Sequence, residues 1–246
     1  MYDVLAEHYH LRFADWDASI ARQAESLGDL IRRETGLEAP RILDCACGVG
    51  TQALGLAARG FPVTGSDLSA PALERARREA SARGLTIDFH QADLRDLAAV
   101  PGDDYDVLLA ADNAVPHLMS DDDLETAARS MRAKLTPGGL AVISIRDYDE
   151  LRKERPLVEP PSFFEGGGVK RFSHQVWEWT ADDRYRLHMY LTLEDEGEWR
   201  TLYFVSYYRA LLRAEFEAAY LAAGFDRVRW VEPEESGFYQ PIAVAR

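Results

Sequence analysis

Residues 41–147 alternate between short apolar runs and longer stretches with helical periodicity, and this rhythm constrains the fold more than any other feature of the chain. The runs at 41–46, 62–67, 87–93, 105–112 and 140–147 have the length of strands. The fourth, YDVLLAAD, is apolar nearly throughout, as a strand covered on both faces must be. Segments 51–60 and 70–84 read as helices that close on Gly60 and Gly84, and a third helix at 121–135 runs into the turn Pro137-Gly138-Gly139. Strands joined in this way by helices make right-handed crossovers, with helices on both faces of a parallel sheet. The expected fold class is α/β, a doubly wound and mainly parallel Rossmann-like sheet.

The rest of the chain departs from that rhythm. Residues 1–35 read as helix, bent in places and ended by Gly36. Residues 152–171 hold Pro156, Pro160, Pro161 and Gly166-Gly167-Gly168, and read as loop. Three strand-like runs follow at 172–180, 185–194 and 199–208, separated by the turn signals Asp182-Asp183 and Glu196-Gly197. In the middle run Tyr185, Leu187, Met189, Leu191 and Leu193 share one face, which predicts an antiparallel meander. A helix at 209–223 and two strands at 226–232 and 238–245 complete the chain. The expected organisation is a core of residues 1–151 and 209–246, interrupted by an antiparallel β lid at 152–208 that covers an acceptor site.

The segment LDCACGVGTQA at 43–53 carries the most chemistry. A strand runs through Gly48-Val49-Gly50 into a helix, so the backbone can approach a ligand closely and the helix N-terminus points at it. Gly48, Gly50 and Ala53 also fit G-x-G-x-x-G/A, so a dinucleotide-binding oxidoreductase is a rival reading. Three carboxylates favour a different ligand. Asp44 ends the first strand at the mouth of the turn, where it would repel a pyrophosphate and attract a sulfonium or ammonium. Asp67 ends the second strand, where an acceptor pair can take two ribose hydroxyls, and Asp93 ends the third, within reach of an adenine amino group. Together they outline a cationic nucleoside.

LDCACGVG, Asp67 after PVTGS, and GGLAVISI resemble the class I S-adenosylmethionine-dependent methyltransferases over residues 40–150. The resemblance implies a seven-stranded sheet with the seventh strand antiparallel, and S-adenosyl-L-methionine as methyl donor. It implies donor contacts from Asp44, Ala46, Gly48, Gly50, Asp67, Leu68, Asp93, Leu94 and Asp112. DNAVPHL at 112–118 and RDYD at 146–149 resemble the glycine/sarcosine N-methyltransferase group, in which an Asn and an Arg hold the acceptor's carboxylate; these match Asn113 and Arg146. FADWDASIARQ also resembles that group, which implies Arg22 at the donor's carboxylate and Tyr9 in a helix covering the donor. His117 and Tyr148 are the candidate proton acceptors, and both are expected near the acceptor as well.

The pattern departs from the glycine enzymes in two places. Asp112 stands where they have a small residue, and the meander carries Trp177, Trp179, Tyr185, Tyr190, Trp199, Tyr203, Tyr207 and Tyr208, more aromatic surface than a tiny acceptor needs. The reading is therefore methyl transfer to a small molecule, an amine nitrogen of an amino-acid-like or aromatic compound. Oxygen or carbon methylation of a phenolic or indolic acceptor is the alternative. Cys45-x-Cys47 has no second pair and reads as packing, so no metal is expected.

Charge and hydropathy exclude other classes. Lys and Arg number 28 against 42 Asp and Glu, a net charge of −14, which argues against a nucleic-acid coat. No apolar run approaches the ~20 residues of a membrane span. The first ten residues lack an apolar core, so no leader peptide is expected, and with two closely spaced cysteines a cytoplasmic location follows.

Overall fold

The computed structural model describes residues 5–166 and 169–246. A 3-10 helix at Ala6–Arg12 leads into α1 (Trp16–Thr35), whose start is capped by the Asp15 carboxylate accepting from the Ala18 N–H. Gly36 ends it at φ 71°, the left-handed geometry that glycine adopts without strain. The alternation then runs β1 (Ile42–Asp44), α2 (Thr51–Ala58), β2 (Val63–Asp67), α3 (Ala70–Ala82), β3 (Asp88–Gln91), β4 (Tyr105–Ala110), α4 (Asp121–Lys134), β5 (Leu135–Ser144) and α5 (Tyr148–Glu154). After a second sheet come α6 (Arg213–Ala222), β10 (Val228–Val231), a short helix α7 (Pro233–Ser236) and β11 (Ile242–Ala245).

The main sheet has seven strands in the order β10-β11-β5-β4-β1-β2-β3. Pairs from β5 to β3 are parallel, and β11 is antiparallel to both neighbours. The two-residue strand period sorts side chains onto two faces. Leu43, Leu108, Ile143 and Ala243 meet α4 and α6 on one face. Ile42, Val107, Val142 and Val244 meet the side chains of α1, α2 and α3 on the other. Both Cys45 and Cys47 are buried as small packing residues.

The second sheet has the order β6-β7-β8-β9, from Val158–Gly166, Val169–Trp179, Arg184–Asp195 and Glu198–Arg209. All pairs are antiparallel, as the turn signals predict. Tyr185, Leu187, Met189, Leu191 and Leu193 are all buried, and they join the same apolar cluster as the α4 face of the main sheet.

Three local expectations need correction. Residues 152–171 do not form one loop: α5 occupies the start and β6 most of the rest, with Pro160 and Pro161 at a register shift between Glu159 and Ser162. Both prolines lie on an edge strand at a bulge, the place where a missing N–H costs least. Gly167 and Gly168, from the run read as loop, lie outside the described residues. The Pro137-Gly138-Gly139 segment is carried within β5, where pairing with β4 shifts register, and α6 starts at Arg213 because β9 continues to Arg209.

Candidate active site

The carboxyl ends of β1, β2, β4 and β5 open onto two cavities. The first, about 610 Å³, lies over the glycine turn and is lined by Ala46, Gly48, Asp67, Leu68, Asp93 and Leu94, with Tyr9 and His117 among the others around it. The second, about 1010 Å³, lies between the N-terminal helices, the start of α5, the second sheet and the segment before β11. Arg12, Arg22, Arg146, Trp177 and Tyr239 line it. Asp112 lines both, and among the described residues it alone is common to the two linings.

The glycine turn is built to leave room for a ligand. Gly48 has φ 54° and Gly50 φ 93°, and a Cβ at Gly48 would meet nothing within 4 Å. Asp67 pins the turn: its Oδ2 accepts from the Gly48 N–H at 2.8 Å and its Oδ1 from the Ser69 N–H at 2.8 Å. The following helix is capped by Ser69, not by Asp67, so the Asp67 carboxylate faces the cavity for another reason. Asp44 is 1% exposed and stands behind the lining. Burial and the Asp67 charge raise its pKa to about 8, and its Oδ2 has no hydrogen-bond partner. A buried carboxyl left in this state calls for a cation. Asp93 is held by Arg95, which donates to both its oxygens at 2.6 and 3.0 Å and lowers its pKa. Leu68 is exposed and Leu94 partly buried, so both offer apolar surface to a base.

Asp112 and Asn113 form the turn between the cavities. Both have positive φ, 56° and 66°, a geometry that Asp and Asn tolerate best among residues with a side chain. The strain is held by a web of hydrogen bonds. The Asp112 N–H donates to Ser144 Oγ at 2.8 Å, and that hydroxyl donates to Gln240 Oε1 at 2.9 Å. The Asn113 N–H donates to the Ser144 carbonyl at 3.1 Å. Asn113 Oδ1 accepts from the Arg146 N–H at 3.1 Å and from the Tyr148 hydroxyl at 3.0 Å. The Asp112 carboxylate accepts the Tyr9 hydroxyl on Oδ2 at 2.7 Å and the Tyr239 hydroxyl on Oδ1 at 2.6 Å. Desolvation and the Asp112 charge raise both phenol pKa values, so both tyrosines stay neutral donors.

Arg146 is boxed by aromatic rings. Its guanidinium lies 4.9 Å from the Trp177 ring centre and 5.4 Å from that of Tyr208, and Nη1 donates to Tyr185 Oη at 2.9 Å. Among the described residues it forms no ion pair with a carboxylate. Tyr148 and Asn113 are buried and line neither cavity; they hold Arg146 from behind. Arg22 lies on the larger cavity and not on the one over the glycine turn. His117 lines the smaller cavity, its ring tilted against that of Tyr208 with centres 4.2 Å apart. Its Nδ1 lies 3.0 Å from the Tyr207 carbonyl, which can only accept, so Nδ1 carries the proton. Burial lowers its pKa to about 4 and keeps the ring neutral.

Sequence reasoning missed Tyr239, Arg12 and the partition role of Asp112. Tyr239 lies between a short helix and the last strand, where no periodicity marks it, and only the fold brings it 127 positions back to Asp112. The two positive-φ residues had a signal in the sequence, since adjacent Asp and Asn after a buried strand suit a left-handed turn.

A sheet with one antiparallel strand, a glycine turn and two carboxylates under it define a nucleoside-binding methyl-transfer fold. The chain belongs to the S-adenosylmethionine-dependent methyltransferases, and S-adenosyl-L-methionine is its methyl donor. The methyltransferase domain family model matches residues 42–139. A dTDP-3-amino-3,4,6-trideoxy-alpha-D-glucopyranose N,N-dimethyltransferase of Streptomyces venezuelae is 30% identical over 239 residues, 96% of each chain. A glycine/sarcosine N-methyltransferase of Halorhodospira halochloris is 27% identical, covering 86% of this chain and 81% of that protein. The crystal structure of Streptomyces venezuelae DesVI superposes with a TM-score of 0.79 at 25% identity, covering 92% of this chain and 91% of that one. The dinucleotide reading of the glycine turn gives way to the methyl donor.

Among the described residues, no helix is long and apolar enough to cross a membrane.

Proposed function

We propose that this enzyme methylates an amine nitrogen of a small molecule that also carries an anionic group. When bound, S-adenosylmethionine supplies a methyl group on a sulfonium, which passes to a nucleophile as the carbon–sulfur bond breaks and its electron pair stays on sulfur. The protein's part is to hold the two reactants in line and exclude water.

In this reading the donor occupies the cavity over the glycine turn. Asp67 takes the ribose hydroxyls, and the backbone of Ala46, Gly48 and Gly50 permits close approach. Leu68, Asp93 and Leu94 border the adenine, with Tyr9 covering the donor. The unpaired Asp44 oxygen is the counter-charge for the donor's ammonium.

The observation that carries the acceptor side is Arg146. A half-buried cation with no carboxylate partner among the described residues, facing a cavity, is a site for an anion. Asn113 and Tyr148 act through Arg146 by fixing its backbone and the Tyr185 hydroxyl that it meets. Arg12 and Arg22 on the same cavity serve the outer part of the acceptor. A volume of about 1010 Å³ far exceeds a glycine, which favours a larger amine in the manner of the aminosugar relative. An acceptor of this kind is a free small molecule; neither a nucleic acid nor a membrane surface enters the reading, and the location that suits it is cytoplasmic.

The test is methyl transfer from labelled S-adenosylmethionine to amines with and without a carboxylate or phosphate, with the methylated atom read by NMR. Transfer to nitrogen of the anionic amines is expected, and Arg146→Ala should raise the acceptor KM at least tenfold with little change in donor affinity. Methyl groups found only on oxygen or carbon, or no preference for anionic amines, would refute this reading.

A further inference from the structure

We infer that the Asp112 carboxylate, fixed from two sides by the Tyr9 and Tyr239 hydroxyls at the junction of the two cavities, is the counter-charge for the positive charge that moves from the donor to the acceptor nitrogen during methyl transfer. The inference rests on the amine acceptor proposed above and adds a residue to that site.

Among the described residues, Asp112 is the single one shared by the two cavity linings. Tyr9 belongs to the donor side and Tyr239 to the acceptor side, and one carboxylate oxygen is given to each. A methyl group passing between two cavities must cross their common wall. The carboxylate at that wall is held in advance, since its backbone is locked at φ 56° by Ser144 and Gln240 and both oxygens carry a short hydrogen bond. Each oxygen keeps a further lone pair for a cationic N–H.

Charge then decides what such a carboxylate does. An amine lone pair that forms a nitrogen–carbon bond leaves the nitrogen positively charged until its proton departs to water. A fixed negative charge beside that nitrogen lowers the barrier because it needs no reorganisation as the charge develops. Hydrogen bonds from the amine N–H groups to Asp112 also aim the lone pair away from the carboxylate. Arg146 on the same cavity repels a cation, so the acceptor is oriented at both ends, anion toward Arg146 and nitrogen toward Asp112.

The experiment uses two donor analogues and needs no acceptor. Sinefungin carries an amine where the donor carries its methyl, and S-adenosylhomocysteine carries nothing there. Asp112→Asn is the suitable variant, because Asn tolerates the left-handed backbone, its amide oxygen can accept one tyrosine hydroxyl and its NH2 can donate to the oxygen of the other. Calorimetry should show sinefungin binding weakened at least tenfold in Asp112→Asn while S-adenosylhomocysteine binding changes less than threefold. The second measurement also reports that the variant is folded. Tyr239→Phe, which leaves the carboxylate in place, should keep most of the preference for sinefungin. Equal losses for both analogues would make Asp112 a shaping residue of the donor cleft, and unchanged binding of both would place it away from the transferred methyl; either result overturns the inference. A product methylated on oxygen, with the sinefungin preference intact in the wild type and lost in Asp112→Asn, would instead sink the amine reading alone.

Discussion

Arg146 and Tyr185 meet at 2.9 Å, and through that hydrogen bond the end of the fifth strand of the main sheet is tied to the second sheet. Tyr185 is 1% exposed, stacks on Trp177 at 4.6 Å and on Tyr208 at 5.2 Å, and also meets the Tyr148 hydroxyl at 2.9 Å. Tyr185→Phe keeps the stack and removes one acceptor from a half-buried guanidinium. Leaving that donor unsatisfied should cost about 1–3 kcal/mol of stability. It should also raise the acceptor KM, since Arg146 loses a fixed orientation. Urea denaturation and steady-state kinetics check the two effects together, and a stability loss without any KM change would confine the contact to structure.

Asp44 predicts a pH dependence. Its folded pKa of about 8 lies above the ~3.9 of an unfolded Asp. A raised folded pKa means that its contribution to stability is whole below about pH 4 and is lost as pH rises toward 8. The ligand-free protein should therefore lose stability across that window, by at most about 1.4 kcal/mol per pH unit, and Asp44→Asn should flatten the slope. If the donor's ammonium is the missing partner, donor binding at pH 7 releases a proton. Calorimetry in buffers of different ionisation enthalpy reads that proton directly. A wild-type slope unchanged in Asp44→Asn would show that other groups set the pH dependence.

The left-handed turn at 112–113 gives a test that separates strain from bonding. Asn113→Ala removes the acceptor for the Arg146 N–H and the Tyr148 hydroxyl and puts a Cβ with no compensating bond at φ 66°. Asn113→Gly removes the same acceptor without the strain. The Ala variant should lose about 2–4 kcal/mol, with the Gly variant about 1 kcal/mol less affected. Equal losses in denaturant titrations would show that the backbone geometry carries no cost.

These cases show where the sequence was legible. Strand alternation marks the core because Leu43, Val107 and Ile143 obey a period that only a two-faced sheet imposes. The glycine turn was legible because Gly48 and Asp67 act within a short stretch of chain, 19 residues apart. Strand β6 was hidden by Pro160 and Pro161, which break a local pattern that an edge bulge accommodates. The Asp112–Tyr239 bond was hidden for a different reason: it joins two loops whose meeting depends on the antiparallel entry of β11. Arg22 was tied to the donor by resemblance alone, and only the packing of α1 decides which cavity it faces.

His117 predicts an absence of titration in the neutral range. With its pKa lowered to about 4 by burial, the ring is neutral throughout pH 5–8. Its ring NMR signals should not shift over that range, and any acid limb of kcat/KM between pH 5.5 and 7.5 should persist in His117→Asn. A ring that titrates near 6.5 would show that the contact with Tyr208 opens to water.

The segment that carries Tyr9 is anchored to the second sheet by an arginine. Arg171, on the second sheet, is 6% exposed and donates to three carbonyls of the N-terminal stretch: Leu11 at 3.0 Å, Phe13 at 2.7 Å and Ala14 at 3.3 Å. The Leu11 carbonyl lies in the last turn of the 3-10 helix that places the Tyr9 hydroxyl against Asp112, and the other two follow directly on it. A short helix of this kind has little stability of its own, so its position depends on such anchors. Arg171→Leu should therefore free residues 6–14 locally. Their amides should exchange at least tenfold faster, and the bound donor should leave faster, with the denaturant midpoint of the core little changed. If instead exchange is unchanged and only global stability falls, the arginine supports the second sheet and does not govern the cover over the donor.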